Sequence, residues 1–209
     1  MLTETIGIIV AALIVFLAVI LHEFAHGWVA YKLGDPTAKR AGRLTLNPIK
    51  HIDPIGTILL PAFLIFLRSK GINTFVFGWA KPIPVNFMNL RHPKGDMLLV
   101  GIAGPLINVL LALSFSFFLR MEFNRAVYDL IVFSIFVNLL LAIFNLIPIP
   151  PLDGSRLVMG LLPGRYAVLY SRLEPYGIAI VAFLLYFGFY EKIVLPLVFL
   201  SGRALGVIF

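Results

Sequence analysis

The chain has 209 residues, of which 60% are hydrophobic and 13% are charged, and its formal net charge is +7. Because ordinary soluble domains are about 45 to 50% apolar, this composition excludes a conventional water-soluble fold and is typical of a membrane protein. The basic residues are scattered between apolar segments, which indicates membrane orientation rather than nucleic-acid binding. Since the chain has no cysteine, any metal site must use nitrogen and oxygen donors.

The first hydrophobic segment comprises residues 6–31, a run of 26 residues. As a helix it would be about 39 Å long, which is enough to cross a bilayer with some tilt. A turn-forming Gly-Asp-Pro sequence at 34–36 ends it. The stretch LHEFAHGWVA at 21–30 nevertheless places two imidazoles and a carboxylate inside this apolar segment.

The next part of the chain predicts structure that does not span the membrane. Residues 52–67 are apolar but short, and two prolines and a glycine interrupt them. Residues 73–87 combine aromatic and β-branched residues with Pro82 and Pro84, a composition typical of extended edge or interfacial structure. We therefore expect a re-entrant or extended element between the first and second spans.

Two clear spans follow. Residues 97–119 form the second, and residues 128–147 form the third, which runs into the proline-rich sequence NLIPIPPLDG. Residues 176–190 and 193–209 are two further hydrophobic segments. The predicted fold is an all-α polytopic membrane protein, a bundle of about five transmembrane helices.

The distribution of basic residues predicts which side of the membrane each loop faces. The two loops that flank residues 52–67 carry five basic residues each, so a crossing there would put these groups on opposite sides. A re-entrant hairpin avoids this conflict with the positive-inside tendency and keeps both loops cytoplasmic. The prediction is a multi-pass protein of the cell membrane, with its N-terminus outside and its polar cluster nearer the cytoplasmic face.

His22, Glu23 and His26 form an H-E-x-x-H pattern. On a helix this spacing sets both imidazoles on one face, where they can bind one zinc ion, and Glu23 can receive a proton from water that zinc makes more acidic. In a soluble protein the same pattern can occur without a metal ion, as polar side chains that are simply packed or hydrogen-bonded. Inside a membrane helix, however, each ionisable group costs about 2.5 to 3.5 kcal/mol, so three in five residues indicate a shared metal ion.

A catalytic zinc usually has three protein ligands and one open position, so a third ligand must come from elsewhere. The candidates are Asp53, Asp96, Asp129, Asp153, Glu174, His51 and His92. Asp153 is preferred, because it follows the third span at the same membrane face at which the first span ends. His26 lies about 9 Å from this face, measured along its helix. Asp153 could instead cap a helix before Gly154. His51 and Asp53 are the alternatives, since the re-entrant hairpin could enter the same pocket; they could also shape substrate access or begin a turn.

Asn108 in the second span and Asn145 in the third are lone amides in apolar surroundings. Each could form an interhelical hydrogen bond, worth about 0.6 to 2 kcal/mol. Each could equally donate a hydrogen bond to the oxyanion that develops during peptide hydrolysis. The sequence leaves both interpretations open, so both residues are candidate substrate or oxyanion contacts.

Four stretches carry a resemblance to a known family: HEFAHGWVAYKLGD, GWAKPIPVN, GIAGPLIN and NLIPIPPLDG. With this order and spacing, the chain resembles the site-2 protease family of intramembrane zinc metalloproteases, in a short form without a PDZ or CBS domain. The resemblance covers residues 6–162. The joint occurrence of H-E-x-x-H and the N-x-x-P-x-x-x-x-D-G pattern is more specific than either motif alone.

The resemblance implies a three-helix catalytic core within residues 1–162, with residues 163–209 completing the bundle. It implies one Zn²⁺ per chain, held by His22, His26 and Asp153, with Glu23 as the general base. The expected reaction is hydrolysis of a peptide bond in or next to a transmembrane helix. The expected partners are therefore a membrane-protein substrate and the surrounding lipid, and not nucleic acid.

Two other classes of function are also compatible with a metal-binding bundle. A zinc transporter needs ligands but no adjacent general base, and it needs polar groups spread along a path, of which these spans offer few. A catalytically inactive scaffold that binds transmembrane helices tends to lose one member of the catalytic set. Here His22, Glu23, His26 and Asp153 are all present, so the sequence favours the protease.

Overall fold

The computed structural model describes residues 2–72, 74 and 78–209, and this part of the chain is helical without β-strands. Helix α1 (Leu2–Lys32) is the first predicted span and is continuous over 31 residues. It ends where Gly34 adopts a φ of 115°, a left-handed conformation that favours glycine. The polar cluster at residues 22–26 therefore lies on the last third of an unbroken helix.

Short elements follow α1 in the region that is predicted to form a re-entrant hairpin. They are α2 (Thr37–Arg40), a 3₁₀ turn (Pro48–His51), a π-helical turn (Pro54–Leu59) and α3 (Leu60–Ser69). The last two join into one apolar helical run, Pro54–Ser69. At about 1.5 Å per residue, 16 residues reach about 24 Å, which is less than the thickness of a bilayer core.

Residues 78–86 have neither helix nor strand structure, in agreement with the extended element expected there. The predicted extended range also included residues 73 and 75–77, which lie outside the described residues. A 3₁₀ turn (Phe87–Asn89) leads into the next helix.

Helices α4 (Pro93–Phe118) and α5 (Arg125–Asn145) are the second and third predicted spans. Helix α4 begins four residues before the predicted boundary, since Pro93 fits the first turn and the Asp96 side chain accepts from the His92 N–H at 2.9 Å. Helix α4 packs against α1, α5 and α6 and is the central helix of the described bundle.

The C-terminal part contains four shorter helices: α6 (Asp153–Leu161), α7 (Gly164–Ser171), α8 (Gly177–Tyr186) and α9 (Leu195–Ala204). Helices α7 and α8 are joined by a 3₁₀ turn into one apolar run, Gly164–Tyr186, which begins well before the predicted 176–190 segment. A π-helical turn (Tyr190–Val194) leads directly into the ten residues of α9, and the helix ends before Gly206, where φ is 83°.

Within the described residues, four helical segments are long and apolar enough to cross a membrane: Ile9–Lys32, Pro93–Phe118, Arg125–Asn145 and Gly164–Tyr186. The predicted all-α polytopic fold is thus confirmed, with four such segments where about five were expected. The fifth expected segment, residues 193–209, instead contributes buried Val194, Val198 and Val207 to a core with α4 and α5.

Candidate metal centre

Three potential metal ligands converge between α1, α4 and α6. His22 and His26 lie one turn apart on α1, and Asp153 is the first residue of α6. The two Nε2 atoms are 3.1 Å apart, and Asp153 Oδ2 lies 3.0 Å from His22 Nε2 and 3.1 Å from His26 Nε2. Among the described residues, this is the group of three His, Cys, Asp or Glu side chains that could hold one metal ion.

The hydrogen bonds of His26 indicate that a cation belongs between these atoms. His26 Nδ1 lies 2.7 Å from the Val100 carbonyl oxygen, which can only accept, so Nδ1 carries the proton. In the neutral ring, Nε2 then carries a lone pair and no proton. This lone pair faces a carboxylate oxygen and a second imidazole nitrogen. Donor atoms around tetrahedral zinc are about 3.3 Å apart, given bonds of about 2.0 to 2.1 Å, so the observed triangle has the size of a zinc site.

Gly104 on α4 leaves the space that such an ion requires. A Cβ atom at this position would lie 2.3 Å from His26 Nε2 and 2.5 Å from His22 Nε2. These distances approach the length of a zinc–nitrogen bond, so a methyl group there would occupy the metal position. Gly104 is not among the predicted site residues; the signal for it in the sequence is its place in the small-residue stretch GIAGPLIN, one turn before Asn108.

Asn108 contacts the other side of the His22 ring. Its amide nitrogen lies 3.2 Å from His22 Nδ1, while its Oδ1 is buried without a hydrogen-bond partner. Rotating the amide by 180° would bring Oδ1 to Nδ1, where it would accept the proton that a ring ligating through Nε2 carries on Nδ1. Asn108 therefore makes an interhelical contact to His22, a candidate metal ligand.

Glu23 is anchored by a loop rather than by another helix. Its Oε2 atom accepts a hydrogen bond of 2.7 Å from the backbone N–H of Ile83, in the extended segment. Within the described residues its Oε1 atom has no hydrogen-bond partner. One oxygen of the carboxylate is thus held in place while the other remains available.

The remaining predicted site residues lie elsewhere. Asn145 donates to the Leu141 carbonyl oxygen, one turn back on its own helix, at 3.0 Å. His51 is buried and its Nε2 lies 2.8 Å from the Thr45 carbonyl oxygen. Asp53 caps the π-helical turn by accepting from two backbone N–H groups. His51 and Asp53, the alternative third ligands, therefore build the re-entrant hairpin and do not join the metal-ligating group.

Asp153 reaches the histidines because α6 passes very close to α4. The chain leaves α5 through the Pro148–Pro151 turn, and α6 then crosses α4 at Gly101, where a Cβ atom would lie 2.9 Å from Arg156 Cβ and 3.3 Å from the Asp153 carbonyl oxygen. Gly101 and Gly104 lie on the same face of α4, three residues apart. Two glycines thus allow both ligand-bearing helices to approach α4.

A protein-family model described as peptidase family M50 matches residues 119–188. This range contains α5, Asp153 and the run from α7 to α8. It does not include the helix that carries His22, Glu23 and His26, so the family match and the H-E-x-x-H motif are separate observations.

Several curated proteins are similar over most of the chain. YwhC of Bacillus subtilis (strain 168), described as a candidate zinc metalloprotease, is 44% identical over 168 residues, which is 75% of this chain and 71% of YwhC. Rip2 of Mycobacterium tuberculosis (strain H37Rv), with the same description, is 31% identical over 158 residues, 74% of this chain and 54% of Rip2. Zinc metalloprotease MJ0392 of Methanocaldococcus jannaschii is 28% identical over 163 residues, 76% of this chain and 36% of MJ0392. No solved structure matches the chain.

Proposed function

The chain belongs to peptidase family M50, the site-2 proteases, and from this membership we propose that it cleaves peptide bonds in or next to transmembrane helices. Family membership makes it a zinc metalloprotease, and its apolar helices make it a multi-pass membrane protein. The proposal adds the reaction site, the ligand set and the class of substrate.

The observation that carries the proposal is the triangle of His22 Nε2, His26 Nε2 and Asp153 Oδ2, with sides of 3.0 to 3.1 Å. Three protein ligands leave one position of a tetrahedral zinc for water or substrate, which is the pattern of catalytic rather than structural sites. Glu23 adjoins His22 on the same helix turn. These features together support hydrolysis over transport or a scaffold role.

When bound, zinc supplies Lewis-acid chemistry that lowers the pKa of water and polarises a peptide carbonyl. Glu23 holds one oxygen on the Ile83 N–H and uses the other to take the proton from the attacking water and pass it to the leaving nitrogen. Asn108 and the Val100 carbonyl oxygen fix the two imidazole rings, so that both Nε2 atoms face Asp153.

The substrate class follows from where the site lies. His22 and His26 are buried on α1 directly after the apolar run 6–21, so the substrate must itself enter the membrane region. Positive-inside orientation puts the N-terminus outside and the site nearer the cytoplasmic face. In this proposal residues 1–162 are the catalytic core, and residues 163–209 complete the bundle.

The decisive experiment is zinc analysis and cleavage of membrane-anchored substrates by the purified protein and three variants. We expect Glu23→Gln to keep about one zinc per chain and to cut nothing, since the ligands remain and the proton acceptor is lost. Asp153→Asn should lose zinc, whereas Asp53→Asn should keep both zinc and activity because asparagine also caps helices well.

Glu122→Gln is the matched control for Glu23→Gln, because it removes the same charge from an exposed loop position. Full activity in Glu23→Gln would refute the mechanism. Zinc loss in Asp53→Asn with zinc retained in Asp153→Asn would move the third ligand to the hairpin.

A further inference from the structure

The extended segment is fixed along one edge by three backbone N–H groups on alternate residues. Trp79 donates to the Gly56 carbonyl oxygen at 3.1 Å, and Lys81 donates to the His51 carbonyl oxygen at 2.9 Å. Ile83 is the next in this series, and its acceptor is Glu23 at 2.7 Å. The re-entrant hairpin thus holds the first two residues, and the proposed general base holds the third.

Arg43 binds the same extended segment by donating hydrogen bonds to backbone carbonyl groups of the segment. Its side chain donates to the Lys81 carbonyl oxygen at 2.6 Å and to the Pro82 carbonyl oxygen at 3.3 Å. Arg43 is 8% exposed, its Nε is buried without a partner, and no Asp or Glu of the described chain forms an ion pair with it. Burying a guanidinium in this way costs free energy, which suggests a functional reason for its position.

One peptide group connects Arg43 to Glu23. The carbonyl of the Pro82–Ile83 peptide accepts from Arg43, and the N–H of the same peptide donates to Glu23. A cation at the carbonyl end strengthens the hydrogen bond that the N–H end donates, since hydrogen bonds in series polarise one another. Arg43 therefore acts on the carboxylate without touching it.

Packing prevents this peptide from moving along the helix. The Ile83 side chain is buried against Gly27, the residue after His26, where a Cβ atom would lie 2.8 Å from Ile83 Cγ2. Leu44, the neighbour of Arg43, lies 3.3 Å from the same point. The zinc-binding helix, the Arg43 loop and the extended segment meet at Ile83.

We infer that Arg43 is a positioning residue for Glu23: it orients the Pro82–Ile83 peptide whose N–H fixes one oxygen of the general base. This inference rests on the proposed function of Glu23. It predicts that Arg43 affects the chemical step and not the affinity for zinc, because Arg43 contacts none of the three ligands.

The test compares Arg43→Gln with Arg43→Lys and with Arg40→Gln, which removes the same charge from an exposed position in α2. In Arg43→Gln we expect kcat to fall about tenfold to a hundredfold with KM changed less than about twofold, as for other partners of catalytic groups. Arg43→Lys keeps the charge and should recover part of the loss. Arg40→Gln should match the parent protein, and all three should keep about one zinc per chain.

Amide hydrogen exchange of Ile83, followed by NMR on zinc-free protein with ¹⁵N-labelled isoleucine, tests the contact without any activity. The Ile83 signal is identified by its absence in Ile83→Val. We expect this amide to exchange at least about tenfold faster in Arg43→Gln and in Glu23→Ala than in the parent protein or Arg40→Gln.

The two measurements separate the possible failures. A rise in KM at unchanged kcat, loss of zinc, or equal effects of Arg40→Gln and Arg43→Gln would overturn the inference while leaving the protease intact. If the parent protein cleaves nothing, the proposed function fails, and unchanged Ile83 exchange in Arg43→Gln would then refute the Arg43 contact on its own.

Discussion

Gly104 and Asn108 lie one turn apart on α4, and both face His22 on α1. Gly104 contributes the absence of a side chain, which leaves space beside the Nε2 atoms of both histidines. Asn108 contributes an amide, which holds the ring at Nδ1. At the scale of single residues, α4 therefore contributes none of the candidate ligands, and yet it determines both the space between them and the orientation of the His22 ring.

Replacing Gly104 by alanine should abolish zinc binding. The added methyl group would lie 2.3 Å and 2.5 Å from the two Nε2 atoms, where the ion itself belongs. We expect less than about a tenth of the parent zinc content, measured by elemental analysis after dialysis at defined free zinc. Gly95→Ala on the same helix is the control, since nothing lies within 4 Å of a Cβ atom there. A zinc content equal to that of Gly95→Ala would show that the ion lies elsewhere.

The candidate ligands and the proposed general base could be chosen from the sequence, because H-E-x-x-H has helical spacing and three ionisable groups in an apolar helix need an explanation. Gly104 and Arg43 could not. Their roles depend on which face of α4 meets α1 and on which loop crosses residues 81–83, and neither hydropathy nor a local motif contains that information. Asn145 shows the reverse case, a suggestive position whose amide bonds within its own helix.

At the scale of elements, the loop after α1 is fastened to the extended segment by one buried carboxylate. Asp35 accepts hydrogen bonds from Thr37, from the Asn89 side chain at 2.9 Å and from the Asn86 backbone N–H at 2.7 Å. It thereby joins the end of α1 to the residues that follow Ile83. The position of Glu23 relative to its anchor depends on this junction.

The Asp35 junction should weaken in acid. Burial alone would raise the pKa of Asp35, but the hydrogen bonds from Thr37, Asn89 and Asn86 outweigh it and hold the pKa below the ordinary 3.8. Because the pKa is lower in the folded state, the ionised Asp35 carboxylate stabilises the fold fully above pH 3.8. This stabilisation is lost as the pH falls through the folded-state pKa.

The free energy of unfolding of Asp35→Asn should therefore be about 1 to 3 kcal/mol lower than that of the parent protein at neutral pH. This difference should shrink below about pH 4. Denaturant unfolding in detergent at a series of pH values measures both effects. Asp129→Asn, which removes an exposed carboxylate paired with Arg125, is the control and should change stability little. A constant difference at all pH values would contradict the role given to the Asp35 charge.

The helices themselves were more predictable than their ends. The long apolar runs in the sequence predicted α1, α4 and α5, because a membrane span needs about 20 apolar residues whatever packs around it. Residues 193–209 have a similar composition but contain only the short helix α9, and Val194, Val198 and Val207 of this segment are buried in a core with α4 and α5. Hydropathy cannot distinguish burial in protein from burial in lipid.

At the scale of the whole molecule, the described C-terminal helices contact and stabilise the proline turn that precedes Asp153. Tyr170 on α7 donates to the Pro148 carbonyl oxygen at 2.6 Å. Arg156 on α6 pairs with Glu174 at 2.7 Å, between α7 and α8. Gly177, at the start of α8, lies so close to Pro150 that a Cβ atom would be 1.8 Å from its carbonyl oxygen. The position of Asp153, the proposed third ligand, thus depends on elements that follow it in the chain.

Gly177→Ala should disturb the metal centre from a distance. The new methyl group meets backbone at Pro150, which cannot rotate away, so α8 or the proline turn must shift at a cost of about 1 to 3 kcal/mol. Because Asp153 follows this turn directly, we expect zinc affinity to fall about tenfold or more, as measured by competition with a chelator. Gly164→Ala at the start of α7 meets no atom within 4 Å and should retain the parent stability and affinity. If both alanine variants bind zinc equally, the C-terminal helices complete the bundle without supporting the site.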